Sequence, residues 1–212
     1  MKNYRYGSSN IIHPTATVDD EVKMGNNNYI GPYCYLTGYL SVGDNNRFEG
    51  HCSVGTRPEH KDFWHEDGPT VIGDNNVFRE HITIHSGSNT DLTYVGNNVI
   101  MLRGSHVAHD CVIEDDVTLS CVAHALGHVY VMEGSNLGSG CHVHQHQVIG
   151  SWSMIGMGAI VTKKARVVPG RVWVGNPAKD IKSNDYKMKD IHQVFLEKET
   201  MRYSELIEER GL

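Results

Sequence analysis

Along the first quarter of the chain an apolar residue returns at every sixth position: Ile12, Val18, Met24, Ile30, Leu36, Val42, Phe48 and Val54. After a break the same beat passes through Ile72, Phe78 and Ile84. It resumes at Val95 and runs through Met101, Val107, Ile113, Leu119, Ala125, Val131, Leu137, Val143, Ile149, Ile155 and Val161 to Val167. Neither the 3.6-residue period of a helix nor the two-residue alternation of an ordinary strand sustains such a beat. A parallel β-helix does, because each side of its triangular coil takes one hexapeptide. The residue four places after the beat is compact: Ala16, Val22, Cys34, Cys52, Ser105, Cys111, Val117, Ala123, Ser135, Cys141, Ser153, Ala159 or Ala165. A large and a small side chain can then both turn inward and fill a narrow prism, which reads most of the cysteines as core filler. The turns Gly25-Asn-Asn-Asn28, Gly43-Asp-Asn-Asn46, Gly73-Asp-Asn-Asn76 and Gly96-Asn-Asn98 use residue types that tolerate the left-handed backbone of a tight corner.

The pattern predicts an all-β fold, a hexapeptide-repeat parallel β-helix over residues 1–180, followed by a short α-helical tail over 181–212. From Asn184 to Arg210 the apolar residues Ile191, Val194, Phe195, Met201, Leu206 and Ile207 stand among charges, as in one or two amphipathic helices. Such a tail is suited to cover the open edge of the last coil or to pack subunits together. Two stretches break the beat, Thr56–Thr70 and Ser86–Leu92. Excursions from a solenoid are where function concentrates, and Arg57, His60, Phe63, Trp64 and His65 are costly choices for idle surface in the longer one.

Composition narrows the function. A net charge of −6 with no lysine or arginine run argues against nucleic acid as a partner. The opening MKNYRYGSSN has no apolar signal core, and no stretch approaches the ~18 consecutive apolar residues of a membrane span. Five cysteines, an odd number with no CxxC pair, fit a reduced, cytoplasmic chain better than a disulfide framework.

Histidine is the unusual component, with 14 residues. Three sides make one coil, so residues 18 apart stack. His106, His124 and His142 then share one column, and Asp110, His128 and His146 another, while His109 stands over Gly127 and Gln145 with His144 nearby. Within Ser105–Cys111 the His109–Asp110 pair has the composition of a general base with its orienting carboxylate, since imidazole titrates near neutral pH. Clustered histidines also suggest a metal. The γ-class carbonic anhydrases share the β-helix but place two ligand histidines five apart; here His106 and His109 are three apart and His142, His144 and His146 two apart. We therefore expect no metal site.

Over roughly residues 11–167 the chain resembles the acyl-carrier-protein-dependent UDP-N-acetylglucosamine O-acyltransferases of lipid A biosynthesis. The resemblance rests on Ile12-His-Pro-Thr-Ala16, Ile30-Gly-Pro-Tyr-Cys34, Arg79-Glu-His-Ile-Thr-Ile-His85, His106-Val-Ala-His-Asp-Cys111, Gly127-His128 and Val143-His-Gln145. It implies a left-handed β-helix and a cytoplasmic homotrimer with active sites in clefts between subunits. It also implies transfer of an acyl group from an acyl carrier protein (or coenzyme A) thioester to a nucleotide sugar, with no bound cofactor. By the same resemblance His109 is the base, Asp110 its partner and Gly127 N–H the oxyanion donor. His85, His106, His128, His144 and Gln145 match substrate contacts, and Met157 stands where bulk limits acyl length. His60 and Asp62 stand where the family's sugar-binding loop carries an Asp and a Lys. One coil is missing from the N-terminal half, and a short tail replaces the family's long helical domain. Val168–Ala178 is similar to the closing segment of acetyl-CoA-dependent hexapeptide transferases, so O- or N-acetylation of a sugar is the alternative activity. A metal-dependent hydratase and a non-catalytic scaffold are the readings from other classes.

Overall fold

The computed structural model describes residues 7–59, 68–89, 91–188 and 193–212. The six-residue beat becomes a succession of mostly two-residue strands, most of them ending on the beat residue, which points inward. Strands three apart in order pair in parallel, giving three sheets of ten, eight and seven strands among the described residues, the sides of a left-handed parallel β-helix.

The pairing puts like on like. In the first sheet Ile12, Ile30, Phe48, Phe78, Met101, Leu119, Leu137, Ile155 and Trp173 form one ladder. The second sheet aligns Val18, Leu36, Val54, Ile84, Val107, Ala125, Val143 and Val161. All of these are buried except Ile12 and Val18, which belong to the first coil among the described residues. Burying a Leu, Ile or Phe side chain contributes roughly 1.5–3 kcal/mol, so the ladder holds the coils in this register. The stacked rings of Phe48 and Phe78, 4.7 Å apart, are fully buried inside the prism. Cys34, Cys52, Cys111 and Cys141 are buried in the same core, in the filler role read from their spacing.

Each corner turns on the residue three places after the beat. Asn27, Asn45, Asn75 and Asn98 there have φ of 55–60°, and bulkier residues, among them Tyr33, His51, His81, Val122 and Trp152, take 52–62°. The glycines of the Gly-Asn/Asp turns, expected to supply left-handed backbone, do not; they supply space. A Cβ on Gly25 or Gly43 would lie 2.0 Å from the carboxylate of Asp44 or Asp74 in the next coil. Those carboxylates accept the backbone N–H of Asn26 (2.6 Å) and Asp44 (2.7 Å), while buried Asn28, Asn46 and Asn76 pass a second ladder from coil to coil. The amide two places after a beat stands outside the sheet ladder, which is why Pro14 and Pro32 fit there.

The two excursions meet. Gly68 N–H donates to Gly87 O at 2.7 Å, and Ser86 N–H to Thr56 O at 2.8 Å, which brings the shorter excursion back across the sheet edge. Beyond Val167 the chain forms an antiparallel pair, Arg171–Val174 with Lys179–Ser183, then α1 (Asp185–Met188) and α2 (Gln193–Glu209). The boundary expected at 180/181 falls inside the second of those strands.

One expectation about the tail is corrected. α2 does not lie over the open end of the last coil; it lies along the outer face of the third sheet. Tyr203 is buried there against Met132 and Val148, with Leu206 and Ile207 beside it. The outward residues at this place, Tyr130, Met132 and Val148, offer an apolar strip on the side of the prism, whereas the last strand of the first sheet already has a hydrogen-bonding partner in Lys179–Ser183. Val194 and Met201 face solvent, and Ile191 lies outside the described residues. No helix among the described residues is long and apolar enough to cross a membrane.

Candidate active site

The corner between the second and third sheets carries Asp110, His128 and His146 at its left-handed positions, with φ of 60°, 60° and 66°. Adjacent residues of a flat strand point to opposite faces. The left-handed turn at Asp110 removes that obstacle and swings its carboxylate alongside the preceding side chain. His109 Nδ1 and Asp110 Oδ2 are 2.6 Å apart, and the Asp110 side chain is 3% accessible. Because the carboxylate only accepts, Nδ1 carries the proton and Nε2 is the basic nitrogen.

Asp110 is held from a second direction. The backbone N–H of Ser88 donates to Oδ1 and its hydroxyl to Oδ2, both at 2.7 Å, while the Asp110 amide donates to Thr93 Oγ1 at 2.8 Å. Burial raises the carboxyl pKa, but hydrogen bonds from His109 and Ser88 outweigh it, and the net shift is downward. Asp110 is therefore an anion at neutral pH. Ser88 and Thr93 carry no motif; the only sequence signal was that Ser88 sits in the excursion that breaks the beat.

Gly127 lies directly beside the His109 ring, one coil on. A Cβ built there would stand 2.8 Å from Nε2 and 2.9 Å from Cε1, so glycine is needed for the approach of the imidazole and not for its backbone angle. The Gly127 amide makes no hydrogen bond among the described residues, as befits its place two after the beat at Ala125. His128 follows, its ring edge-on to His109 at 5.1 Å and stacked on His146 at 4.4 Å, with Nε2 3.5 Å from Asp110 Oδ2.

Next to this corner the second sheet carries the column read from the spacing: Thr83, His106, His124 and His142 are in register. His106 shares a 2.7 Å hydrogen bond with Thr83 Oγ1, and His85, buried, sets its ring 4.8 Å from His106 at a steep angle. His85 Nδ1 has no hydrogen-bond partner among the described residues. His144 Nδ1 meets the carbonyl of Gln145 at 2.9 Å, and the Gln145 side chain is exposed one coil beyond Gly127. Met157 is 80% exposed, on the first sheet's side of a later corner. His60 and Asp62 lie outside the described residues. The structure thus gathers His109, Asp110, Gly127, His128, His106 and His85 in one region, and sets Met157 apart from them in sequence by a further coil and more.

Donor atoms of His109, Asp110 and His128 lie within 4.8 Å of one another, close enough for a cation. The chemistry of the donor set favours protons instead. Both Asp110 oxygens already accept from Ser88, and Oδ2 also takes the His109 N–H. Nor does the neighbouring thiol serve as a nucleophile, because burial pushes Cys111 up to about 12.

The histidine seam makes the fold acid-sensitive. Burial, then the charges of His85, His124 and His109, pushes His106 from 6.5 down to about 3; burial also lowers His85, His124, His128 and His146. A lowered folded-state pKa means that the unfolded chain binds more protons between the two values. The neutral-seam stability is therefore whole above pH 6.5 and is lost as pH falls toward 3. Unfolding free energies from urea titrations across that range will fall, with His106 contributing at most about 1.4 kcal/mol per pH unit. His106→Asn, which keeps an amide near Thr83, will flatten the slope; an unchanged slope would remove His106 from this role.

Comparison with known proteins adds sequence and fold relatives. The acyl-[acyl-carrier-protein]–UDP-N-acetylglucosamine O-acyltransferase of Stenotrophomonas maltophilia (strain R551-3) is 38% identical over 116 residues, 54% of this chain and 44% of that protein. The protein of the same name from Gloeothece citriformis is 34% identical over 128 residues, 59% of this chain and 45% of that protein. The chain thus spans less than half the length of these curated relatives. Among solved structures, LpxA from Acinetobacter baumannii superposes with a TM-score of 0.73 at 25% identity, over 97% of this chain and 89% of that one. UDP-N-acetylglucosamine acyltransferase from Campylobacter jejuni gives 0.83 at 25% identity, over 95% and 80%. No family model matches the chain.

Proposed function

We propose that this chain, LpxA-like in fold and in sequence, transfers an acyl group from an acyl-carrier-protein thioester to a hydroxyl of UDP-N-acetylglucosamine, with His109 as general base. The observation that carries the reading is the pair at 2.6 Å, His109 Nδ1 to Asp110, with the opposite face of the ring directed at Gly127. Substrate classes come from the names of the relatives; the roles are those the resemblance implies, and the contacts of His109 with Asp110 and Gly127 support them.

In this mechanism His109 Nε2 removes the proton from the sugar hydroxyl as its oxygen attacks the thioester carbonyl. Asp110 stabilises the imidazolium that forms, as in other His–carboxylate pairs. The Gly127 N–H donates to the developing oxyanion. As the tetrahedral intermediate collapses, the C–S bond breaks and the imidazolium returns its proton to the leaving thiolate. Atoms and charge balance without a covalent enzyme intermediate or a cofactor. Ser88 holds Asp110 in place. His85, His106, His128, His144 and Gln145 contact the sugar nucleotide, together with His60 and Asp62 of the longer excursion. Met157, which is exposed, limits the length of the acyl chain, as the resemblance implies. The site is completed by neighbouring copies in a homotrimer, which a native mass three times that of the 23.7-kDa chain would support and a monomeric mass would overturn.

The test is a competition read by mass spectrometry: UDP-N-acetylglucosamine and other sugar nucleotides are offered acyl-carrier-protein thioesters of several lengths and acetyl-CoA. An ester of UDP-N-acetylglucosamine is expected, with Met157→Gly moving the preference toward longer acyl chains. Acetylation of a different sugar would replace this reading with the acetyltransferase one. An unchanged length profile in Met157→Gly would remove that residue from the role.

A further inference from the structure

The tail reaches the His corner from outside the prism. α2 is tied to the third sheet by Arg202, whose guanidinium bridges Glu114 and Glu199 and lies 3.1 Å from the Tyr130 hydroxyl. One residue past the end of the helix, Arg210 Nη1 donates to the backbone carbonyl of His128 at 2.7 Å. Its guanidinium stands 5.3 Å from the centre of the Tyr130 ring, within reach of a cation–π attraction. The other side of His128 is already fixed, because its N–H donates to the His109 carbonyl at 3.0 Å. His128 also has the left-handed backbone of this fold's corners, φ 60°, a conformation that is unfavourable for a non-glycine residue and persists where surroundings over-determine it. The two hydrogen bonds grip the Gly127–His128 corner from the coil and from the tail.

We propose that Arg210 is a positioning residue for this site: by holding the His128 carbonyl it sets the Gly127–His128 corner against the His109 ring. The inference rests on the acyltransferase reading for what the corner does, and on geometry alone for what holds it. The His128 ring lies beside Asp110, His109 and His146, and the charges of Asp91 and Arg210 also act on it. Burial is the largest influence keeping it neutral and Asp110 opposes that; the Arg210 guanidinium adds to burial, and does so at His146 as well. Without Arg210 the corner loses a charge-assisted hydrogen bond and the two imidazoles lose a neighbouring cation. A misplacement of the amide by even a fraction of an ångström acts on the chemical step more than on substrate capture.

Arg210→Met and Arg210→Lys separate these effects. In full-length protein with 15N-labelled histidine, Arg210→Met will make His128 and His146 titrate at higher pH than in the parent, and Arg210→Lys will bring both back toward the parent. In steady-state acyl transfer, Arg210→Met will lower kcat by roughly tenfold or more with KM little changed, and Lys will recover part of it. Unchanged titration and unchanged kcat in Arg210→Met would overturn the proposal, and so would a fall in thermal stability with both readouts at parent values. Should Arg210→Met not fold, a parent-like titration and kcat in Arg210→Gln would overturn it in the same way. The titration needs no turnover. Full activity in His109→Ala would therefore sink the reaction assigned to the site, while the His128 titration still decides the role of Arg210.

Discussion

His109→Ala will lower kcat for acyl transfer by about 10²–10⁴-fold, the range a positioned general base contributes. The residual rate will come from the Gly127 amide and from holding the two substrates together. Removing the imidazole takes from the buried Asp110 the partner at 2.6 Å, but both Ser88 hydrogen bonds remain, so the carboxylate is not stranded. His109→Asn is the sharper variant, because its amide can still donate toward Asp110 while offering no basic nitrogen. Single-turnover rates on both variants, with circular dichroism as the check of fold, decide the matter. If either keeps more than about a third of the parental rate, a loss far below that range, the base lies elsewhere. His128 is then the next candidate, since its Nε2 is 3.5 Å from the same carboxylate oxygen.

Gly127→Ala is expected to be nearly as damaging to the rate, by roughly 100-fold, and almost silent in stability. The contrast follows from two facts. Gly127 has an ordinary backbone conformation that alanine adopts without strain, since it is absent from the left-handed positions of the corner. The added methyl, however, would stand 2.8 Å from His109 Nε2 and 2.9 Å from Cε1, closer than carbon approaches nitrogen or carbon without bonding. The imidazole must then turn away from its place beside residue 127, which disturbs its hydrogen bond with Asp110 and the alignment of the proposed base. Thermal melting within a few degrees of the parent together with a collapsed kcat is the expected signature. A parental kcat would mean that the ring has room to step aside without loss, and that the close approach at Gly127 has no part in the reaction.

Much of the framework behind these predictions was legible in the chain. A strict beat of six leaves one class of fold, because the inward positions of a triangular coil repeat at that interval and the neighbours of each residue lie a coil away in both directions. For the same reason the stack of His106, His124 and His142 and the position of His109 over Gly127 could be read by counting, and the register bears out the columns. The function of the turn glycines was misread, since the requirement is a carboxylate packed against the Cα of Gly25 and Gly43 and a period carries no information on side-chain direction. The first of the two places expected for the tail, the open edge of the last coil, is corrected for a related reason. Amphipathic patterning marks Tyr203, Leu206 and Ile207 as facing something apolar without saying which apolar surface, and the strip of Tyr130, Met132 and Val148 comes together only once the coils are stacked.

By itself, then, the amino-acid order determined the β-helix, its core and the coincidence of histidines on one edge, all of which follow from local repetition. The tertiary structure decided the chemistry of that edge. It turned Asp110 through a left-handed corner onto His109, brought Ser88 down from an excursion to hold the carboxylate, and carried Arg210 back over 82 positions to the His128 carbonyl. These contacts join segments whose spacing obeys no period, and they are fixed by packing and hydrogen-bond satisfaction in the closed fold, which no count along the chain can supply.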